Sequence, residues 1–520
     1  MSFVNINNTL SEASHMPLGL DLSMWFTPKY AISFIVLVVS LAGAAWKLTG
    51  KPTQRLVPGV YIVGGDSKNE IKKTREQFRY GSKDLIFQGY EKTGGTEPYY
   101  VPSELGIRMV IPTRFMEELK SAPMDKVDFV GIVQEMFEGK HTGVGTRSRM
   151  VPGTLNSHLT PNLGSIMPEL QDEVRVAIND EFPACEDWTQ LDIMHIMTQI
   201  VTRASSRMIG GTAFSRDKDW LKAAIGFAHW SFDGAKKIKA WPELLRPVAA
   251  PWISEVRKEI PWSFHTSEKL AVPILEQRAR DGEQPTDFMQ FLKDVGKGPE
   301  KEDKFISKLL VLTAFASVHT SVSTIVDLIY DLCEHPEYCD ILREEYQGIA
   351  DAKGTIPKTG FSKMVKMDSI MKESQRLRPV TLLTFERMVT EDKKLSNGLT
   401  IPAGTQIGVP NYCVAMDARI FPEPEKFDGL RFEKMRQADP SMENKMQFIS
   451  CNAQSMAFGY GRHACPGRAF MDQEYKAIMV KILLNFDFKF PDGVKRPPHM
   501  SLDSQYVLSP IPVMFRRRKL

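Results

Sequence analysis

Between Lys304 and Cys333 the chain runs thirty residues without a glycine or a proline. At about 1.5 Å of rise per residue this predicts a single helix of roughly 45 Å, with Asp303 placed to cap it. A helix of that length must either cross a membrane or pass through the middle of a body large enough to surround it. Leu309 to Val326 carries no Asp, Glu, Lys or Arg, which keeps a membrane span in play. Seven of those eighteen residues, however, are Thr313, Ser317, His319, Thr320, Ser321, Ser323 and Thr324. Placing so many polar side chains in hydrocarbon is costly, so the expectation is the central helix of a soluble domain.

The rest of the chain can supply that domain. Of 520 residues, 42% are apolar and 25% charged, a profile that buries a large core. A prior of about 150 residues per domain suggests three domains. No internal repeat, low-complexity tract or Gly/Ser-rich linker separates them, however. Strand-like pieces such as Lys394 to Ile401 and Gln406 to Val409 lie grouped between helical stretches and in the last fifth of the chain. One mainly-α body with small sheets, over residues 56–520, is expected in place of a βαβ series. Lys and Arg number 66 against 63 Asp and Glu, a formal charge of +3, which argues against a nucleic-acid binder. The six cysteines, at 185, 333, 339, 413, 451 and 465, are too sparse for a disulfide scaffold and suit a reducing compartment.

Ahead of this body, Tyr30 to Trp46 runs seventeen residues without a charge, bracketed by Lys29 and by Lys47 and Lys51. That is about 25 Å of helix, which interfacial Trp25, Phe26, Tyr30 and Trp46 and snorkelling lysines can fit to a bilayer. A cleaved signal peptide is the competing reading, because Ala42-Gly43-Ala44 resembles a cleavage site. The 29-residue leader with Glu12 and Asp21, and the Lys47, Lys51 and Arg55 cluster, favour an uncleaved anchor instead. The expected layout is a lumenal tail over 1–29, an anchor over 30–48 and a cytosolic domain. The Asn7-Asn8-Thr9 sequon would then be open to glycosylation. Leu56 to Val60, LVPGV, reads as the turn that releases the body from the membrane.

The strongest local signal is Phe458-Gly459-Tyr460-Gly461-Arg462-His463-Ala464-Cys465-Pro466-Gly467-Arg468. A thiol followed by Pro-Gly and then a helical stretch from Arg468 to Ile482 lies where free N–H groups and a helix N-terminus stabilise a thiolate. Gly461 and Gly467 are expected to let the backbone approach a flat ligand. An isolated buried cysteine is more often an inert small hydrophobe, and lone surface cations need no ligand. The complete F-x-x-G-x-[HR]-x-C-x-G pattern tips the balance.

This segment resembles the haem-binding loop of cytochrome P450 enzymes, in the form common among fungal members. The resemblance implies that Cys465 is the axial thiolate of a b-type haem, a ligation that favours O–O cleavage. It also implies that His463, and more weakly Arg462, meet a haem propionate. The resemblance extends to Glu373-Ser374-Gln375-Arg376, the family's E-x-x-R, in a helix that Pro379 ends. An i,i+3 spacing puts carboxylate and guanidinium on one helical face, although such pairs are common on exposed helices. FPEPEKFDGLRF, from Phe421 to Phe432, resembles the segment that adds Arg431 as third member of a structural triad. Arg387, in TFERMV, is implied as another propionate ligand.

Ala316-Ser317-Val318-His319-Thr320 resembles the oxygen-activation motif in the family's long helix, where A-G-x-[DE]-T is usual. Thr320 can bond the Ala316 carbonyl four residues back and open the helix for dioxygen and a water. The resemblance implies that Thr320 activates oxygen and delivers protons. Ser317 stands for Gly and His319 for the acid; an imidazole titrates near neutral pH and could relay protons in its place. The H-T form is similar to that of fungal members acting on diterpenes and indole diterpenes. The family's W-x-x-x-R is missing, leaving Arg147, Arg149 and His158 as loose candidates for that propionate contact.

The resemblance implies a membrane-anchored monooxygenase of the endoplasmic reticulum in secondary metabolism. It would draw NADPH electrons through a separate reductase, since the chain has no G-x-G-x-x-G nucleotide fingerprint. Leu309 to Ser317, Val380 to Phe385 and Gln505 to Leu508 are expected to wall a pocket for a bulky apolar substrate such as a terpenoid. Reductant-independent haem-thiolate isomerase or peroxygenase chemistry, and a non-catalytic haem- or lipid-binding membrane protein, are the alternatives.

Overall fold

A computed structural model describes residues 54–351, 355–498 and 500–519; the expected anchor, the leader and Asn7 lie outside them. Helix starts follow local chemistry. Ser67 and Glu70 form a capping box at α1 (Lys68–Lys92), in which the Glu70 amide donates to Ser67 Oγ and the Ser67 amide to the Glu70 carboxylate. The short helix α2 (Phe129–Met136) follows. Then come α3 (Thr160–Glu181), α4 (Ile193–Gly210) and α5 (Lys218–Lys239). Asp192 and Asp217 cap α4 and α5 by accepting from the His195 and Trp220 amides at 3.0 and 2.7 Å. Next are α6 (Ile260–Asp281) and α7 (Phe288–Val295), the latter capped by Asp287.

The predicted long helix is α8 (Asp303–Glu334). Among the described residues it is the helix long and apolar enough to span a bilayer, yet it runs buried through the main hydrophobic core. It packs against α4, α5, α6 and α7 and against α10 (Val365–Leu377). Asp303 is not its cap: Glu302 occupies that position without a side-chain bond, and Asp303 pairs with Lys293 at 2.5 Å. Between α8 and α10 lies α9 (Glu337–Gln347), and α11 (Arg431–Ala438) and α12 (Arg468–Asn485) complete the longer helices.

The sheets are small: the six-stranded one packs on cores of its own, whereas Phe486, Phe488, Val513 and Phe515 of the three-stranded one belong to the main core. Strands β1 (Tyr61–Ile62), β2 (Tyr99–Ser103), β3 (Gly106–Val110) and β4 (Val127–Asp128) come early in the chain. They join β6 (Thr384–Val389) and β9 (Gln406–Val409) in a six-stranded sheet of order β1-β2-β3-β9-β6-β4. Of the strands before residue 111, β1 pairs with β2 and β2 with β3, and β3 alone reaches a partner some 300 residues downstream, with Met109 opposite Ile407. Lys394 to Ile401 is not one strand but a hairpin, β7 (Lys393–Lys394) with β8 (Thr400–Ile401), turned at Asn397-Gly398 where Gly398 has φ 88°. A second sheet joins β5 (Thr189–Leu191), β10 (Phe486–Lys489) and β13 (Val513–Arg517). Strands β11 (Met500–Leu502) and β12 (Gln505–Val507) form a hairpin tied to Thr381 by a Thr381–Gln505 bridge. Residues Gln54–Leu520 form one unit, not three.

Candidate active site

Cys465 stands at the end of a loop that the backbone folds on itself. Its amide donates to the Phe458 carbonyl at 2.7 Å, and Arg468 Nη1 donates to the Cys465 carbonyl at 2.6 Å. Phe458 is buried edge-on against Phe448, 5.2 Å between ring centroids, which fixes the near side of the loop. Burial raises the Cys465 thiol, while the Gly467 and Arg468 amides and the Arg468 charge oppose that rise. Those donors belong to the first turn at the N-terminus of α12, whose partial positive charge favours a thiolate. The other five cysteines are unpaired by disulfide, and Cys333, Cys339 and Cys413 are held as thiols by burial.

The two loop glycines do different jobs. A Cβ on Gly467 would project beside Cys465 Sγ at 4.0 Å and meet nothing nearer, so its absence keeps the thiol face clear. Gly461 has φ 69°, and a Cβ there would lie 2.6 Å from Lys120 Cβ and 2.9 Å from the Lys120 carbonyl. Gly461 therefore serves the approach of the Lys120 backbone, whose carbonyl accepts from the Arg462 amide at 3.2 Å.

Arg387 and His463 meet beside this loop. The Phe129 ring lies between them, 5.0 Å from the Arg387 guanidinium and 5.2 Å from the His463 ring. Neighbouring strand residues point to opposite faces, and Glu386 is drawn away by Arg108 at 3.0 Å. Arg387 is 4% exposed, donates to the Glu386 carbonyl at 2.6 Å, and has no ion pair among the described residues. Burial lowers its pKa to about 10. A bulge between Thr384 and Arg387, with Phe385 strained at φ 55°, aims the guanidinium. His463 Nε2 is buried without a hydrogen-bond partner, and burial together with the charges of Arg387, Arg149 and Arg462 depresses the ring to about 4. Cationic side chains gathered this way around a buried, unpartnered nitrogen call for an anion.

Of the candidates for the missing propionate contact, Arg149 acts on this cluster. Arg147 is engaged by Asp128 at 2.7 Å, and His158 lies against Ser157 and Phe291. Spacing could not choose among them, because the choice depends on which one reaches His463. Arg462 is exposed at the rim.

Glu373 is fully buried and shared as the sequence implies. Arg376 grips both carboxylate oxygens at 2.8 Å, and Arg431 Nε lies 3.0 and 3.2 Å from them. The remaining guanidinium donors reach the carbonyls of Ala415, Pro424, Pro422, Glu423 and Lys426, so each charge is satisfied.

On α8, Ala316 is exposed, although its neighbours Ala314 and Val318 are buried. Thr320 Oγ1 donates to the Ala316 carbonyl at 3.1 Å and to that of Ser317 at 3.2 Å, and Ser317 Oγ donates to Ala314 at 3.3 Å. His319 points elsewhere, with Nε2 3.0 Å from the Ile225 carbonyl on α5. Phe315 meets Phe137, Phe227 and Phe232 at 5.2, 5.8 and 6.4 Å, forming an aromatic roof. Tyr506 donates its amide to the Val380 carbonyl at 3.0 Å, which joins two of the expected wall segments.

A clear thiol face, an unpartnered His463 nitrogen, a buried Arg387 and a helix bared at Ala316 fit a flat anionic macrocycle held through sulfur. The fold and this site define a haem-thiolate protein. The cytochrome P450 family model matches residues 146–516. An ent-kaurene oxidase of Gibberella intermedia is 32% identical over 444 residues, 84% of this chain and 83% of that protein. Cytochrome P450 monooxygenase olcJ of Penicillium canescens is 35% identical over 431 residues, 79% of each. Cytochrome P450 monooxygenase braC of Annulohypoxylon truncatum is 31% identical over 498 residues, 94% of this chain and 96% of that one. The chain belongs to the cytochrome P450 family and is a monooxygenase of the haem-thiolate type, the family's cofactor being haem on an axial cysteine.

Proposed function

We propose that this chain oxidises a bulky apolar terpenoid in fungal secondary metabolism, anchored to the endoplasmic reticulum membrane by residues 30–48. The observation that carries the site assignment is the convergence of Cys465, with its Gly467 and Arg468 amides, on the same loop as the unpartnered His463 and the adjoining Arg387. Bound haem supplies the reductive activation of dioxygen for oxidation of a C–H bond.

The chain's own residues do the rest. Cys465 would hold the metal, and Arg468 and the α12 N-terminus oppose the rise that burial imposes on its thiol. Arg387, His463 and Arg149 would hold the propionates, with Arg462 exposed beside them. Thr320 holds a water by turning its hydroxyl from the Ala316 carbonyl, and passes a proton inward from Oγ1. Phe137, Phe227, Phe232 and Phe315 exclude water above an apolar substrate. The likeness to ent-kaurene oxidase over most of both chains supports a polycyclic hydrocarbon.

The test is full-length protein in microsomes with an NADPH-dependent reductase, offered ent-kaurene and other terpenoid scaffolds. A substrate-induced spin-state change and NADPH-dependent product are expected, and an endoglycosidase-sensitive shift lost in Asn7→Gln places the leader in the lumen. Product without reductant would favour the isomerase or peroxygenase reading.

A further inference from the structure

His319 sits one residue before Thr320, yet its ring belongs to a different contact. Nε2 lies 3.0 Å from the Ile225 carbonyl, and the His229 ring stands edge-on to it at 4.7 Å and 83°. Ile225 and His229 are both on α5. A carbonyl oxygen only accepts, so Nε2 must carry the hydrogen. Burial, and the proximity of His229, hold the ring below its ordinary range against the opposing effect of the Ile225 bond, and so favour the neutral form.

We propose that His319 is a positioning residue that clasps α5 onto α8 and thereby seats the aromatic roof over the pocket. Its protonated nitrogen faces a group that cannot accept and pass on a proton, so a relay through Nε2 ends at Ile225. Thr320 meanwhile makes its bonds within α8, to Ala316 and Ser317. An ionised carboxylate at position 319 would present acceptors alone to the Ile225 carbonyl and leave the clasp unmade. An imidazole is long enough to cross to α5 and supplies the donor. What the clasp controls follows from what α5 carries. Phe227 and Phe232 lie against Phe315, and Phe232 lies 4.8 Å from Phe137, so the seating of α5 sets where those rings close over a ligand. The clasp does not depend on the substrate class proposed above.

Amide hydrogen exchange across α5 in full-length, haem-loaded protein without ligand tests it. H319D removes the donor, and exchange around Ile225 to His229 is expected to quicken by about fivefold, the scale of one lost hydrogen bond. H319Q places an amide donor at a similar reach and should restore protection. If H319D does not accumulate as folded protein, H319A, which removes the donor altogether, takes its place with the same expected result. Unchanged exchange in the donor-lacking variant would overturn the clasp, as would equally fast exchange in H319Q. A relay role predicts the first of those outcomes, with product yield per NADPH impaired in H319Q.

Discussion

Arg431 Nε lies 3.0 Å from Glu373 Oε1, across fifty-eight residues of chain, and with Arg376 it encloses a carboxylate that has no access to solvent. Two guanidiniums around one acid leave a net positive charge, which carbonyls from the 415–426 segment absorb. Removing any one partner strands a buried charge.

Arg431→Ala should therefore cost about 3–5 kcal/mol, and most of the protein should fail to bind haem. Thermal unfolding and the yield of the reduced, carbon monoxide-bound spectrum measure this. Full stability in the variant would show that neither the Arg431 charge nor its bonds to the Pro422, Glu423 and Lys426 carbonyls hold the segment.

Cys465→Ala should abolish the red-shifted Soret band that carbon monoxide gives with a reduced thiolate haem. Nothing else in the loop can donate sulfur, since Cys451 donates weakly to the Ile449 carbonyl at 3.6 Å and lies in another turn. A retained band would move the ligand away from position 465.

Thr320→Ala removes the hydroxyl that bridges Ala316 and Ser317 while leaving the helix otherwise intact. Product formed per NADPH consumed should fall by about tenfold or more, because proton delivery is lost while electron uptake continues. Unchanged coupling would exclude Thr320 from the proton path.

Glu474 provides a pH dependence with a definite sign. Burial raises its carboxyl to about 8 despite the Ser205 hydroxyl at 2.9 Å, against an unfolded value of about 4.3. Between those values the folded protein holds a proton that the unfolded chain has released, so this group's contribution to stability falls as pH rises. Glu474→Gln stays neutral throughout and should be more stable than the parent at pH 8, on the order of 1–3 kcal/mol, with the gap narrowing toward pH 5. Melting temperatures at the two pH values decide it; an equal gap at both would mean that Glu474 is not the titrating group.

The core helix, the thiol loop and the Glu373–Arg376 pair are legible along the chain, whereas Arg431 joins that pair only through the fold. A helix without breakers and a loop punctuated by glycines are local facts, and Glu373 with Arg376 share a face through i,i+3 spacing alone. Tertiary structure decided what those residues face. Gly461 meets Lys120, Arg149 adds its charge at His463 while Arg147 pairs with Asp128, and Glu386 leaves Arg387 unpaired by turning to Arg108. His319 shows the division most sharply: its place in the helix was legible beside Thr320, but a helical residue's neighbours include whatever packs across from it. Only the docking of α5 put the Ile225 carbonyl within reach of its nitrogen.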